Sequence, residues 1–442
     1  MRHFNFRLFV VLFAIIVFPF KHNSQNSDFS IITNSTITKA VVDSLSRQIL
    51  KYYVFKPEAQ KMSEFIKLQL SLGKYSTITN PHLLAAQLTD DVRNVHLDEH
   101  FHVEFNPKIA HEISGDVEDI PKMVADKLEE DRAKNFGFKK IEFLNGNIAF
   151  LEISSFARLN KFSKQAADAA LNFVSNANAL IIDLRYGVGG SPEMVNYIVS
   201  HFFKNKTRTI DIEIRSENTT LNYATTPDSS QTKLHNIPIF ILTSYKTFSA
   251  AEGLAFELQY LKRATIVGET TRGGAHTVTY RPLSNGFVAD IPFGRAITPD
   301  TKKNWERVGV VPDIKETSDN ALNKAVTTFF NQQQAKLTDE LAIKKSLWQQ
   351  QIFQAKQSSF EMDTTLVKSI VGNYGSYKIT WVNNKLYSQK SGKPNFELTQ
   401  FSKNAFIPKG NDTFIVNFLQ KPEVSLTVNY EDGHTETVSK LK

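Results

Sequence analysis

Twice in this chain a short apolar run, too short to cross a membrane, ends in a loop of small or polar residues and then a helix start. That repeated pattern constrains the fold more than any other feature. Ala179–Leu184 runs into Arg185-Tyr186-Gly187-Val188-Gly189-Gly190 and then Ser191-Pro192-Glu193. Ile237–Leu242 passes through the polar turn Thr243–Thr247 to Phe248 and Ser249. From there Ala250, Leu254, Leu258 and Leu261 fall at helical spacing, and a further apolar run, Ala264–Val267, follows. Such runs read as strands buried on both faces. Alternated with helices, they predict a parallel α/β sheet. In sheets of this kind functional sites gather beyond the carboxyl ends of the strands, where Gly189-Gly190 and Ser249 would both lie.

The two corners differ chemically. Ser191, Pro192 and Glu193 supply a cap, a first-turn proline and a first-turn acid, and the glycines before them leave bare N–H groups able to bind an anion. The loop lacks the Gly-Lys-Ser/Thr ending of a P-loop and the spacing of a dinucleotide fingerprint, which argues against nucleotide binding. An oxyanion hole built from the Gly189 and Gly190 amides is the chemical reading. Ser249 is open to two readings. Ser249-Ala250-Ala251-Glu252 fits a capping box. A serine at a strand-to-helix corner, beside the free N–H groups of a helix start, also suits a nucleophile whose oxyanion must be stabilised.

At 442 residues the chain has material for two or three domains. A net charge of +7 is modest for that length, and no Lys/Arg block or stacking-aromatic pattern points to nucleic acid. The chain has no cysteine, which excludes disulfides, thiolate metal sites and a cysteine nucleophile. Its 34 phenylalanines read first as buried core. Arg2 and Arg7 precede Leu8–Phe20, an apolar run of signal-peptide length, so residues 1–27 are expected to direct export to the periplasm or the extracellular space. An uncleaved membrane tether is the alternative.

Residues 28–105 are expected to form a helical domain: Ile37–Phe55 and Met62–Leu72 carry helical spacing, and Asn80-Pro81 opens a third helix with Leu84, Leu88, Val92 and Val95 on one face. In Asp98–Phe105 apolar and polar residues alternate, predicting a strand with His100, His102 and Glu104 on one face. Three readings stay open there: a solvated face, a metal site that would draw on His96, His100 and His102, or a general base delivered across a domain boundary. Residues 106–320 form the predicted α/β core, with a charged helix at Val117–Lys134, a hairpin turning at Asn145-Gly146 and a helix at Asn160–Asn176. Residues 321–360 read as a helical linker, and 361–442 as a small C-terminal β-barrel or sandwich.

Three blocks then become recognisable. Ala179–Pro192 (ALIIDLRYGVGGSP) resembles the Asp-Leu-Arg…Gly-Gly block of the tail-specific, or C-terminal-processing, serine peptidase superfamily. Thr243–Ala275 resembles its nucleophile block, and Asn304–Ile314 (NWERVGVVPDI) its Gly-Val-x-Pro-Asp block. The resemblance implies a crotonase-like core, a peptide or protein substrate, and no cofactor or metal. The Asp98-Glu99-His100-Phe101 element is similar to one in the branch of the interphotoreceptor retinoid-binding protein and related bacterial secreted peptidases. Carried over, Ser249 would be the nucleophile, with the amides of Ala250 and of Gly189 or Gly190 as its oxyanion hole. Gly274 stands where the tail-specific branch has its dyad lysine, and the segment between Val103 and Lys139 is too short for that branch's PDZ domain. The tricorn-like arrangement of the superfamily implies another solution, with His100 as general base and Glu306 as its orienter; His102, His276 and Glu269 are the nearest rivals. An alternative is a member without catalysis that binds an apolar ligand, a retinoid or fatty acid.

Overall fold

In the computed structural model, residues 32–441 are described apart from 115–119, 228–233, 359 and 421, so the expected signal segment 1–27 lies outside the described residues. The chain divides into two compact units: Met1–Glu142 with Ala149–Ala321, and Phe143–Ile148 with Leu322–Lys442. No helix among the described residues is long and apolar enough to cross a membrane.

In the first unit three helices open the chain, Ser35–Tyr52, Lys56–Ser71 and Pro81–Val95. Asn34 and Asn80 cap two of them, the Asn80 side chain accepting from the His82 and Leu83 amides ahead of a first-turn proline. Their apolar faces (Val41, Leu45, Ile49, Met62, Leu84, Leu88, Val92) do not close on each other alone. They pack on Phe287, Ala289 and Ile291 of the strand Phe287–Ile297. The short strand His102–Phe105 pairs antiparallel with that same strand, from His102 opposite Asp290 to Phe105 opposite Phe287. The helical segment therefore ends inside the five-stranded sheet of the core, and its last turn is placed by sheet register.

The expected strand over Asp98–Phe105 begins only at His102. The Asp98 carboxylate accepts from the His100 amide at 3.0 Å, a local side-chain turn that competes with the ladder. This bend breaks the alternation, so His100 turns inward, buried, while His102 is exposed.

The second sheet has six strands. Ala179–Asp183, Ile239–Thr243, Thr265–Gly268 and Ile314–Lys315 pair in parallel in that order, and Ile148–Ile153 and Phe138–Leu144 lie beyond Ala179–Asp183. Both predicted apolar runs are fully buried central strands. Each feeds a helix, Pro192–Ser200 or Ala250–Tyr260, and the two corners stand side by side at the carboxyl ends of adjacent strands.

In the second unit the helices Ala321–Gln334 and Glu340–Gln357 replace one continuous connector, with Asp339 capping the second. After Thr364–Ile370 come eight antiparallel strands, each paired with the next, from Gly372–Tyr374 to Thr435–Ser439. The Leu441 amide donates to the Asn373 carbonyl at 2.8 Å, bringing the end of the sheet back to its start in a barrel-like closure. Ile379, Leu386, Leu398, Phe406, Phe418 and Leu426 fill its interior.

Candidate active site

Ser249 adopts φ 55°, ψ −120°, a conformation that costs a non-glycine residue on the order of 1–3 kcal/mol. The strain is held by ties to the neighbouring glycine loop. The Thr247 hydroxyl donates to the Leu184 carbonyl at 2.7 Å, and the Phe248 amide to the Gly187 carbonyl at 3.0 Å. Glu252 closes the turn from the other side. Its carboxylate accepts from the amides of Ser249 (2.8 Å), Gly273 (2.6 Å) and Gly274 (2.8 Å) and from the Thr271 hydroxyl (2.5 Å). Burial pushes the Glu252 carboxyl up to about 7, opposed by these four hydrogen bonds, which favour the charged form. The glutamate of the expected capping box thus also clamps the corner to the Gly273–Gly274 loop, a role its sequence spacing alone does not reveal.

His100 Nε2 lies 2.9 Å from Ser249 Oγ. When the ring carries its proton on Nδ1, the serine hydroxyl donates to Nε2, the geometry a general base requires. Several contacts fix the ring. It stacks on Phe248 with centroids 4.6 Å apart. Arg93 donates to the carbonyls of Glu99 and Phe101, and Arg272 pairs with the Glu99 carboxylate at 2.6 Å, holding the turn that bears it. Gly274 abuts its edge, since a Cβ there would fall 2.6 Å from His100 Cε1. Burial pulls the His100 pKa down to about 4, so the imidazole is neutral and able to accept a proton at physiological pH. Its Nδ1 has no hydrogen-bond partner among the described residues.

Glu306 does not meet this ring. Its carboxylate accepts from the Ala275 amide at 2.6 Å and lies 3.6 Å from His276 Nδ1. His276 Nδ1 is bonded to Asp98 at 2.8 Å, and the Tyr53 hydroxyl donates to the same Asp98 oxygen at 3.1 Å. Burial works against charge on both groups. The mutual attraction of Asp98 and His276 outweighs it, lowering the Asp98 pKa and raising that of His276. Burial pushes Glu306 up to about 7. Asp98, His276 and Glu306 each present a ligand atom within 4.8 Å of the others; His276 Nδ1 is taken up by Asp98 and one Glu306 oxygen by the Ala275 amide, while His276 Nε2 and Glu306 Oε1 have no hydrogen-bond partner among the described residues. Asp98 was missing from the expected site, although an aspartate two residues before a histidine is the signature of the turn it makes.

The remaining candidates separate. Gly189 touches Ser249, where a Cβ would lie 3.1 Å from its Oγ. Gly190 has φ +150°, and a Cβ there would fall 2.1 Å from the Phe156 carbonyl oxygen, so only glycine fits. Ala250 is the first residue of its helix, whose amide lacks a partner within the helix. All three line, with Ser249 and His100, a cavity of about 60 Å³. Glu269 is bonded to the Tyr245 and Ser318 amides. His96 lies 3.8 Å from Glu58. The three histidines His96, His100 and His102 therefore do not converge on one point.

A hydroxyl on a strained strand-to-helix corner, an imidazole on it and bare amides beside it fit the class of hydrolases. Within that class, residues 147–316 match the model of peptidase family S41, and residues 26–136 match the N-terminal domain of Peptidase_S41 in eukaryotic IRBP. The chain thus carries a peptidase family S41 domain preceded by an N-terminal domain of the kind found in that family. Among curated proteins it is 30% identical over 164 residues to the chloroplastic carboxyl-terminal-processing peptidase 2 of Arabidopsis thaliana. That match takes in 36% of this chain and 31% of the relative's length. Among solved structures it is similar to a lipoprotein from Streptococcus agalactiae, at 14% identity and a TM-score of 0.45, covering 69% of this chain and 99% of that one. It is also similar to the photosystem II D1 C-terminal processing protease, at 16% identity and a TM-score of 0.42, covering 64% and 93%.

Proposed function

We propose that the protein is an exported serine peptidase that cleaves peptide bonds through an acyl-enzyme on Ser249. The observation that carries this reading is the 2.9 Å approach of a buried, neutral imidazole to a hydroxyl on a strained corner. His100 takes the hydroxyl proton as Ser249 attacks the scissile carbonyl and returns it to the leaving amine. The amides of Ala250 and of Gly189 or Gly190 receive the oxyanion, aided by the positive end of the nucleophile helix. Packing on Phe248 and Gly274 orients the imidazole, and the charge of Asp98 favours it once protonated. Glu306 acts as a positioning residue by tying down Ala275 and His276 next to Gly274. Export, to the periplasm or beyond, rests on the basic and apolar pattern of residues 1–27.

The test is labelling by a fluorophosphonate. The wild type should be modified at Ser249, and Ser249→Ala should not be. His100→Ala should label at least about a hundredfold more slowly, the usual worth of a general base. Equal labelling of His100→Ala and wild type would rule out the assignment of the base.

A further inference from the structure

The cavity at Ser249 extends along one side of the nucleophile helix. Ser249, Gly253 and Glu257 are spaced four apart and so share a helix face, and all three line the cavity. Its other walls are largely apolar, from Pro192, Val195, Ile210, Ile212, Val278 and Trp305. Glu257 is 3% exposed, and its Oε2 has no hydrogen-bond partner among the described residues. Burial pushes its pKa up to about 8, only partly offset by the Thr209 hydroxyl. No lysine or arginine lines the cavity to balance it. A buried carboxyl oxygen without a donor is costly, and at the end of a pocket beside a nucleophile it is a built acceptor.

Two turns of helix separate Glu257 from Ser249, about 12 Å along the axis, and helical side chains lean back toward the N-terminus. The carboxyl therefore comes within reach of a side chain hanging beside the carbonyl that Ser249 attacks. Gly253 adds no side chain to the wall between them, and Trp305 faces it, 3.7 Å from where a Cβ would lie. The cavity, of about 60 Å³, admits a slender unbranched side chain. We infer that this cavity is the specificity pocket of the site and that Glu257 accepts a hydrogen bond from the ammonium group of a lysine immediately N-terminal to the scissile bond. Arginine's planar fork suits a bidentate acceptor rather than the single unpartnered oxygen of Glu257. The inference rests on Ser249 being the nucleophile, as proposed above.

The experiment uses the full chain and matched peptides carrying lysine, norleucine, arginine or alanine before the cleaved bond. The expected result is a kcat/KM for lysine at least about tenfold above norleucine, the discrimination given by one charge-assisted hydrogen bond. Glu257→Gln, of the same shape, should bring that ratio close to one by slowing only the lysine peptide. Equal rates for lysine and norleucine, a preference for arginine or alanine, or a ratio unchanged in Glu257→Gln overturns the inference. A second measurement needs no variant: the lysine peptide aldehyde should protect wild-type Ser249 from the fluorophosphonate at least about tenfold better than the norleucine aldehyde. Labelling of Ser249 without lysine preference defeats the pocket assignment alone. Absence of both labelling and cleavage defeats the peptidase reading and the pocket with it.

Discussion

Replacing Gly274 with alanine adds a single methyl group at the point where the imidazole is held. That Cβ would lie 2.4 Å from Phe248 Cε2 and 2.6 Å from His100 Cε1, against the 3.5 Å or so at which carbon atoms rest in contact. The backbone is poorly placed to yield. The Gly274 amide donates to Glu252 at 2.8 Å, its carbonyl accepts from Trp305 Nε1 at 2.8 Å, and the next amide donates to Glu306. The stacked rings must therefore move, by about 1 Å, carrying His100 Nε2 from its 2.9 Å contact with Ser249 out of hydrogen-bond range. A displacement of that size costs about a hundredfold in rate, and overpacking of this kind costs about 1–3 kcal/mol in stability. Fluorophosphonate labelling kinetics and a thermal melt on the same preparation read both. If Gly274→Ala labels at the wild-type rate, the imidazole is not held against this loop and the reasoning fails.

Four further outcomes follow from the same geometry. Burial lowers the His100 pKa to about 4, and the base works only when neutral, so kcat/KM should hold as pH falls through 6.5 and decline near 4; an acid limb at 6.5 or above would place the base elsewhere. The same depression means that the unfolded chain binds a proton at His100 between about 6.5 and 4 that the folded chain does not, so this group's share of stability is lost as pH falls across that window. At Ser249, φ 55° and ψ −120° suit glycine better than alanine, so Ser249→Gly should be more stable than Ser249→Ala by about 1 kcal/mol. A denaturant titration placing alanine at or above glycine would contradict the strain. Glu252→Gln turns an amide NH₂ toward donors of the clamp and should cost about 1–3 kcal/mol with a matching fall in labelling; wild-type stability would show that the clamp does not bear on the corner.

How much of this was legible in the chain can be traced residue by residue. The parallel strands and both corners were legible because central strands are written as continuous apolar runs, and because Asn80, Ser191 and Asn160 cap helices by local rules. Ser249 was legible as a corner, with capping and nucleophilic readings side by side. His100 was named, but its predicted setting on a strand face was not what forms. Alternation of polar and apolar residues cannot reveal that Asp98 bends the chain two residues earlier. The bond of Asp98 to His276 spans 178 positions, the Phe248 stack on His100 joins distant segments, and Glu306 meets His276 from across an intervening strand, contacts which no local pattern encodes. Glu257 left a fainter trace: an acid on the helix face that also carries Ser249 and Gly253, where burial would call for an apolar residue.

The absence of a lysine at position 274 and the presence of an imidazole at Ser249 are one structural fact. In the tail-specific pattern that the blocks resemble, a lysine issues from the loop after the second strand. Here the Cβ direction of that position points straight into the volume filled by the His100 and Phe248 rings, so any side chain there would compete with the base for the same space. The turn bearing His100 reaches that volume only because His102–Phe105 is registered on Phe287–Ile297, and Arg272, two residues before Gly274, ties the turn down through Glu99. One loop thus gives up its side chain at one position and supplies an anchoring cation at another. The helical segment and the sheet it joins must then fold as one body for the site to exist, because neither the strand register nor the Arg272–Glu99 pair survives if the two separate.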